Sequence, residues 1–170
     1  RVDQAAMFNL PSITLNLWIK PEVVKGRHGL IGKRFVGTAA PFVLSLWDGR
    51  LDFEANDERG KWSFNFRSPA LIKPGQWTHV AAVVQEGKGV TLYANGQAIA
   101  HHESALKRTF NHEPLVLGRE AWDGANNEHR PCFFQGLMDE VKIWARPLSA
   151  AEIQAEAATR ATASGGAAGR

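Results

Sequence analysis

The chain has a single cysteine in 170 residues, Cys132. That excludes an internal disulfide framework and any multi-cysteine zinc site, and leaves Cys132 to be read first as a small buried hydrophobe. No Asn-x-Ser/Thr acceptor for N-glycosylation occurs. No apolar stretch approaches the ~18 residues of a membrane span, and no charged-then-apolar leader opens the sequence, so a membrane span is not expected. The first residue is Arg1, so a fragment or a processed chain is expected. Basic residues are not gathered anywhere. Lys and Arg number 20 against 17 Asp and Glu, and two of the surplus positives, Arg160 and Arg170, lie in the tail. A nucleic-acid binder clusters its Lys and Arg on one face, so that class is set aside. Catalytic signatures are missing too. There is no Gly-x-Ser-x-Gly, and Gly26 through Lys33 fails the phosphate-loop spacing.

What is present is alternation. With 44% hydrophobic residues the chain can bury a substantial core. In Ile13-Thr14-Leu15-Asn16-Leu17-Trp18-Ile19-Lys20 every second residue is apolar, which predicts a strand with one buried face that Pro21 stops. Thr14, Asn16, Trp18 and Lys20 are expected to form the more exposed face. The runs 42–47 and 50–55 alternate around Asp48-Gly49, and 90–94 and 97–100 flank Asn95-Gly96; both dipeptides tolerate the positive φ of a tight hairpin turn. A strand at 77–84 precedes the second hairpin, and further strands are expected at 30–36, 62–67, 115–118 and 137–144. One helix has a clear start: Ser149 and Glu152 form a capping box, with Leu148 and Ile153 in the flanking staple positions. Beyond it, the small residues of 161–169 read as a linker or disordered tail. Many antiparallel strands and one trailing helix indicate a β-sandwich.

Four segments, in this order, carry a resemblance to a known family. They are Ser12-Ile13-Thr14-Leu15-Asn16-Leu17-Trp18-Ile19-Lys20-Pro21, Gly75-Gln76-Trp77-Thr78-His79-Val80-Ala81, Leu92-Tyr93-Ala94-Asn95-Gly96, and Gly136 through Trp144 continuing to Leu148-Ser149-Ala150-Ala151-Glu152-Ile153. Together they resemble the concanavalin A-like, laminin-G-like jelly-roll family. The resemblance implies an all-β antiparallel β-sandwich with one short C-terminal helix, a domain over 1–157 and an Ala/Gly-rich tail or linker over 158–170. It implies a non-catalytic carbohydrate-binding module of a larger secreted or surface bacterial protein, with a protein-interaction or spacer module as the alternative. An extracellular or periplasmic location follows from the same source, with a polysaccharide or glycoprotein glycan and the other domains of the parent chain as partners. Family members begin with a further strand upstream of Val2. That first strand is expected to be absent here, leaving the Leu137–Trp144 strand with an exposed edge.

Several residues are candidates for chemistry. Period-two alternation puts Asp139 on the apolar face of Leu137, Val141 and Ile143, where a carboxylate needs a cation or hydrogen-bond donors. The resemblance makes a structural calcium the candidate cofactor, with Asp139 as its metal ligand; the other reading is a hydrogen-bonded structural Asp. The polar stretch 119–131 reads as a long loop. In it Arg119, Trp122, Asp123, Asn126 and Asn127 form a candidate carbohydrate-binding set, since a Trp ring can stack on a sugar face while polar groups take its hydroxyls. The other reading is a surface loop whose Trp122 folds onto the core. A second candidate patch comes from Trp47, which alternates away from Phe42, Leu44 and Leu46 and is a further carbohydrate candidate, and from the polar stretch 56–62. Trp62 and Trp77 read as core, and Trp18 and Trp144 as structural. His101 and His102 are neighbours on a strand and point to opposite faces, which argues against a shared metal; His79 reads as a framework residue. The acidic run Asp52–Glu58 lacks the Glu-x-Asp-x-x-Glu pattern of laminarinase-like hydrolases.

Overall fold

Alternating apolar residues build two five-stranded antiparallel sheets that face each other. The structure, a computed structural model, describes residues 2, 5–35, 38–69, 71–123 and 129–164. A 3-10 turn at Ala5–Phe8 leads into β1 (Ile13–Pro21), followed by β2 (Arg27–Gly32), β3 (Val43–Trp47), β4 (Arg50–Glu54) and the two-residue β5 (Phe66–Arg67). Then come β6 (Thr78–Gln85), β7 (Gly89–Ala94), β8 (Gln97–His102) and the short β9 (Val116–Leu117). The chain closes with β10 (Arg119–Asp123), β11 (His129–Phe133), β12 (Gly136–Trp144) and the helix α1 (Ala150–Ser164). The first sheet has the order β12-β1-β6-β7-β8, the second β5-β4-β3-β2-β9, and β10 pairs with β11 as a separate hairpin. The expected all-β sandwich is what the chain forms. Both hairpin dipeptides turn as expected, Asp48 and Asn95 taking φ of 50° and 48° with a positive-φ glycine after each.

Between the sheets, Ile13, Leu15, Leu17 and Ile19 of β1 pack with Leu44, Leu46, Leu51, Phe53, Val80 and Leu92 in one cluster. Burying each Leu or Ile completely is worth about 1.5–3 kcal/mol. The other face of β1 departs from expectation. Thr14, Asn16 and Trp18 are buried as well, at 0, 1 and 9% exposure, because α1 and the chain leading to it cover that face. Thr14 Oγ1 donates to the Arg146 carbonyl at 2.9 Å and accepts the Leu148 amide at 3.0 Å. Ala81, Val83 and Tyr93 meet Leu148 and Ile153 of the helix, with Trp144 against them. The capping box forms, with the Glu152 amide on Ser149 Oγ and the Ser149 amide on Glu152 Oε2. The helix then continues through Ser164, into the stretch read as tail.

Strand β12 holds the main correction. Trp18 pairs with Asp139 but Asn16 pairs with Lys142, so Leu17 alone opposes two residues, Glu140 and Val141. This is a β-bulge, and Glu140 takes φ of 49° there. The extra residue shifts the register. Met138, Val141 and Ile143 pack on the core, while Leu137 and Asp139 are exposed. Asp139 is therefore not on the apolar face. Among the described residues β12 pairs only with β1, at the end of its sheet.

Candidate functional site

The outer face of the second sheet carries charge where the inner face carries aliphatic carbon. On β3 and β4, Ser45, Trp47, Asp52 and Glu54 alternate with the core residues Leu44, Leu46, Leu51 and Phe53. Arg27 of β2 stands opposite Trp47, and Arg67 of β5 opposite Asp52. Above β2 lies the β10–β11 hairpin. It approaches so closely that a Cβ on Gly29 would sit 2.4 Å from the Arg119 carbonyl carbon and the Glu120 amide nitrogen; only glycine admits that contact. His28 helps hold the hairpin, with Nδ1 3.1 Å from the Phe133 carbonyl and Nε2 3.0 Å from that of Lys25.

This packing brings Glu120 over the sheet. Arg27 Nε and Nη2 donate to Glu120 Oε2 and Oε1 at 2.8 and 2.6 Å, and its Nη1 and Nη2 donate to Glu54 at 3.1 and 2.6 Å. Two carboxylates thus grip one guanidinium, each in the bidentate geometry that makes Arg–carboxylate pairs strong. Arg34 Nη1 donates to Glu120 Oε1 at 3.0 Å and lies 3.7 Å from Glu54. Arg67 Nε donates to Asp52 at 2.7 Å, and Ser45 Oγ donates to the other carboxylate oxygen at 3.3 Å. Burial alone lowers the Arg27 pKa, but the hydrogen bonds and charges of Glu54 and Glu120 outweigh it and hold it above the ordinary value. Burial pushes the carboxyls of Asp52 and Glu120 up, and neighbouring Glu54 adds to both. In Asp52 the arginines oppose this, Arg67 most; in Glu120 it is Arg27.

Two tryptophans cap the network. The Arg67 guanidinium carbon is 3.6 Å from the Trp47 ring centroid, with that of Arg27 at 5.1 Å. Arg34 lies 4.7 Å from the centroid of Trp62, which remains 43% exposed. Next to Arg34, between the second sheet and β10, is a cavity of about 90 Å³ lined by Arg34, Phe35, Pro114, Val116, Arg119 and Glu120.

Of the residues singled out in the sequence, Trp47 lies on the outer face as expected and is half-buried. Arg119 is exposed at the cavity. The stretch read as a loop is a hairpin instead: Trp122 and Asp123 belong to β10, paired with Arg130 and His129, and their side chains are outside what the structure describes. Asn126 and Asn127 also lie outside the described residues. Trp62, read as core, is exposed on the site; it bridges Asn56 just before Phe64 exchanges backbone hydrogen bonds with Ala55, and Phe64 rather than Trp62 enters the core. Trp18 is structural, edge-on to His79 at 5.6 Å. His101 faces Thr91 and His102 stacks on Phe66, the opposite-face arrangement that strand geometry dictates. Arg27, Arg34, Arg67, Asp52, Glu54 and Glu120 were not singled out for binding. The only local signal was the acidic alternation of Asp52 and Glu54.

Asp139, the expected calcium ligand, stands outside the apolar register that made a cation its expected partner. It is exposed, its Oδ1 accepts the adjacent Glu140 amide at 2.9 Å, and among the described residues no group of three His, Cys, Asp or Glu is placed to hold a metal. Cys132, half-buried opposite Glu120, has its thiol pKa raised by burial and by that carboxylate, which keeps it protonated and poorly nucleophilic.

Residues 2–154 match the family described as the concanavalin A-like lectin/glucanases superfamily. The chain belongs to that superfamily. Among solved structures, the chain is similar to the CBM40 of the Ruminococcus gnavus IT-sialidase bound to α2,3-sialyllactose, with a TM-score of 0.74 and 20% identity over 89% of this chain and 85% of that one. It is also similar to the heptameric SAP-like pentraxin of Limulus polyphemus, with a TM-score of 0.64 and 20% identity over 87% and 70%. The binding domain of Paraclostridial Mosquitocidal Protein 1 matches with a TM-score of 0.66 and 19% identity, over 89% of this domain and 38% of that chain. At these identities the likeness is one of fold. No curated protein matches the sequence. Among the described residues no helix is long and apolar enough to cross a membrane.

Proposed function

We propose that the chain is a non-catalytic carbohydrate-binding module that takes glycan on the outer face of its second sheet. The observation that carries this is Trp62, an exposed indole held against Arg34 beside a row of paired guanidiniums and carboxylates. A sugar offers a C–H face and a ring of hydroxyls that both donate and accept. An exposed aromatic ring takes the first, and arginine next to carboxylate, already fixed by ion pairs, takes the second without a further ordering cost. The carboxylates are engaged by arginine rather than set across a cleft as an acid and a nucleophile, which suits binding better than hydrolysis. A glycan ligand on the sialidase module of like fold supports the reading. The proposal extends to its setting, a larger extracellular or periplasmic protein in which polysaccharides or glycoprotein glycans are met.

The test is Trp62→Ala in affinity electrophoresis against a panel of polysaccharides. The substitution should abolish retention. It gives up a cation–π contact worth about 0.5–1 kcal/mol at an exposed site, so the melting temperature should fall by only a few degrees. Wild-type protein that no polysaccharide retains would favour the interaction or spacer alternative.

A further inference from the structure

We propose that the cavity beside Arg34 is a subsite for a carboxylate-bearing sugar, with Arg119 as its anionic anchor; this rests on the glycan reading above and names the ligand class of the same face. The argument is one of charge balance. Within the network three guanidiniums, Arg27, Arg34 and Arg67, meet three carboxylates, Asp52, Glu54 and Glu120. Arg119 is the fourth guanidinium and has no carboxylate partner among the described residues; its guanidinium carbon rests 5.7 Å from the Phe133 ring centroid. It is exposed, and it lines the cavity. Glu120 lines the cavity too, but its charge is already shared between Arg27 and Arg34.

Donors are in surplus as well. A guanidinium carries five N–H donors, and Arg34 spends one hydrogen bond on the described residues, from Nη1 to Glu120. A planar carboxylate matches the fork of a guanidinium with two parallel hydrogen bonds. Phe35, Pro114 and Val116 supply an apolar wall for the ring carbons. Since Arg34 also stacks on Trp62, a sugar against that indole and an acidic substituent in the cavity share one positioning residue.

A sialic acid and a uronic acid present the same carboxylate, so the experiment uses two matched pairs in calorimetric titration: 3′-sialyllactose against lactose, and digalacturonate against its methyl ester. In at least one pair the acid should bind ten-fold or more tightly than its neutral partner, with the preference weakening as salt is raised. Arg119→Gln should bring the acid down to the level of the neutral sugar without lowering the melting temperature, and Arg119→Lys should recover part of the preference. Acid and neutral sugars binding equally, or an unchanged preference in Arg119→Gln, would overturn the subsite and leave the glycan reading standing. So would failure of all four probes while a neutral polysaccharide still retains the protein. Absence of retention on every polysaccharide would remove both.

Discussion

Replacing Arg27 by methionine tests whether the outer-face network is what holds the site in shape. The side chain keeps its aliphatic stem but loses the guanidinium that makes four hydrogen bonds to Glu54 and Glu120 and lies 3.7 Å from Asp52. All three carboxylates are then left in a site where their side chains are at most 8% exposed. Removing one partner of a buried ion pair costs about 3–5 kcal/mol, chiefly because the remaining charge stays buried without compensation. For a domain of this size each kcal/mol is roughly 2–4 °C of melting temperature, so a fall on the order of 10 °C is expected. The deficit should depend on pH. Burial already raises the Asp52 and Glu120 carboxyls, and Arg27 is a charge that opposes this in both. Without it they rise further. A carboxyl whose folded-state pKa lies above its unfolded value adds stability below the unfolded value and loses it as pH rises through the folded one. The variant should therefore lie closer to wild type at pH 5 than at pH 7.5. Scanning calorimetry at the two pH values reads this directly. A variant within about 0.5 kcal/mol of wild type at pH 7.5, the range of ordinary surface substitutions, would refute the account of the network.

Gly29→Ala places a methyl group 2.4 Å from the backbone of Arg119 and Glu120; it should cost about 1–3 kcal/mol by overpacking, and chemical denaturation should show it together with weakened glycan retention, because Glu120 is carried away from Arg27. His79 should govern acid sensitivity under the helix. Its Nε2 is hydrogen-bonded to Asn16 at 2.5 Å, its buried Nδ1 has no partner among the described residues, and burial pushes its pKa down to about 4, with Glu156 opposing and Lys142 assisting. A lowered histidine pKa favours the fold above the unfolded value and is lost as pH falls toward the folded one, so this group withdraws about 3 kcal/mol between pH 6.5 and 4. His79→Gln should flatten the stability profile across that window in urea titrations, and an unchanged slope would remove His79 as the cause.

The fold was legible because its signals are local. Alternation marked β1 and the strands of both hairpins, Asp48-Gly49 and Asn95-Gly96 marked their turns, and Ser149 with Glu152 marked the helix start. The site was much less legible, since its charges come from positions 27, 34, 52, 54, 67 and 120, which meet only after β2, β3, β4 and β5 pair and the hairpin folds over Gly29. Asp139 was misplaced for a related reason. Alternation assumes an unbroken register, and the bulge at Glu140 inserts one residue that nothing in the local pattern announces. The burial of Thr14 and Asn16 was hidden likewise, because a polar strand face looks solvent-facing until a helix is known to lie across it.

The most direct test of the glycan-binding face is a heteronuclear NMR titration of the ¹⁵N-labelled domain with 3′-sialyllactose and, separately, with a cello-oligosaccharide. With whichever sugar binds, the Trp62 indole N–H and the amides of Gly32, Arg34 and Glu120 should shift together, while the Trp144 indole and the amides of α1 stay fixed. Shifts centred on α1 and β12, with Trp62 and Arg34 unmoved, would contradict the assignment of binding to the outer face of the second sheet.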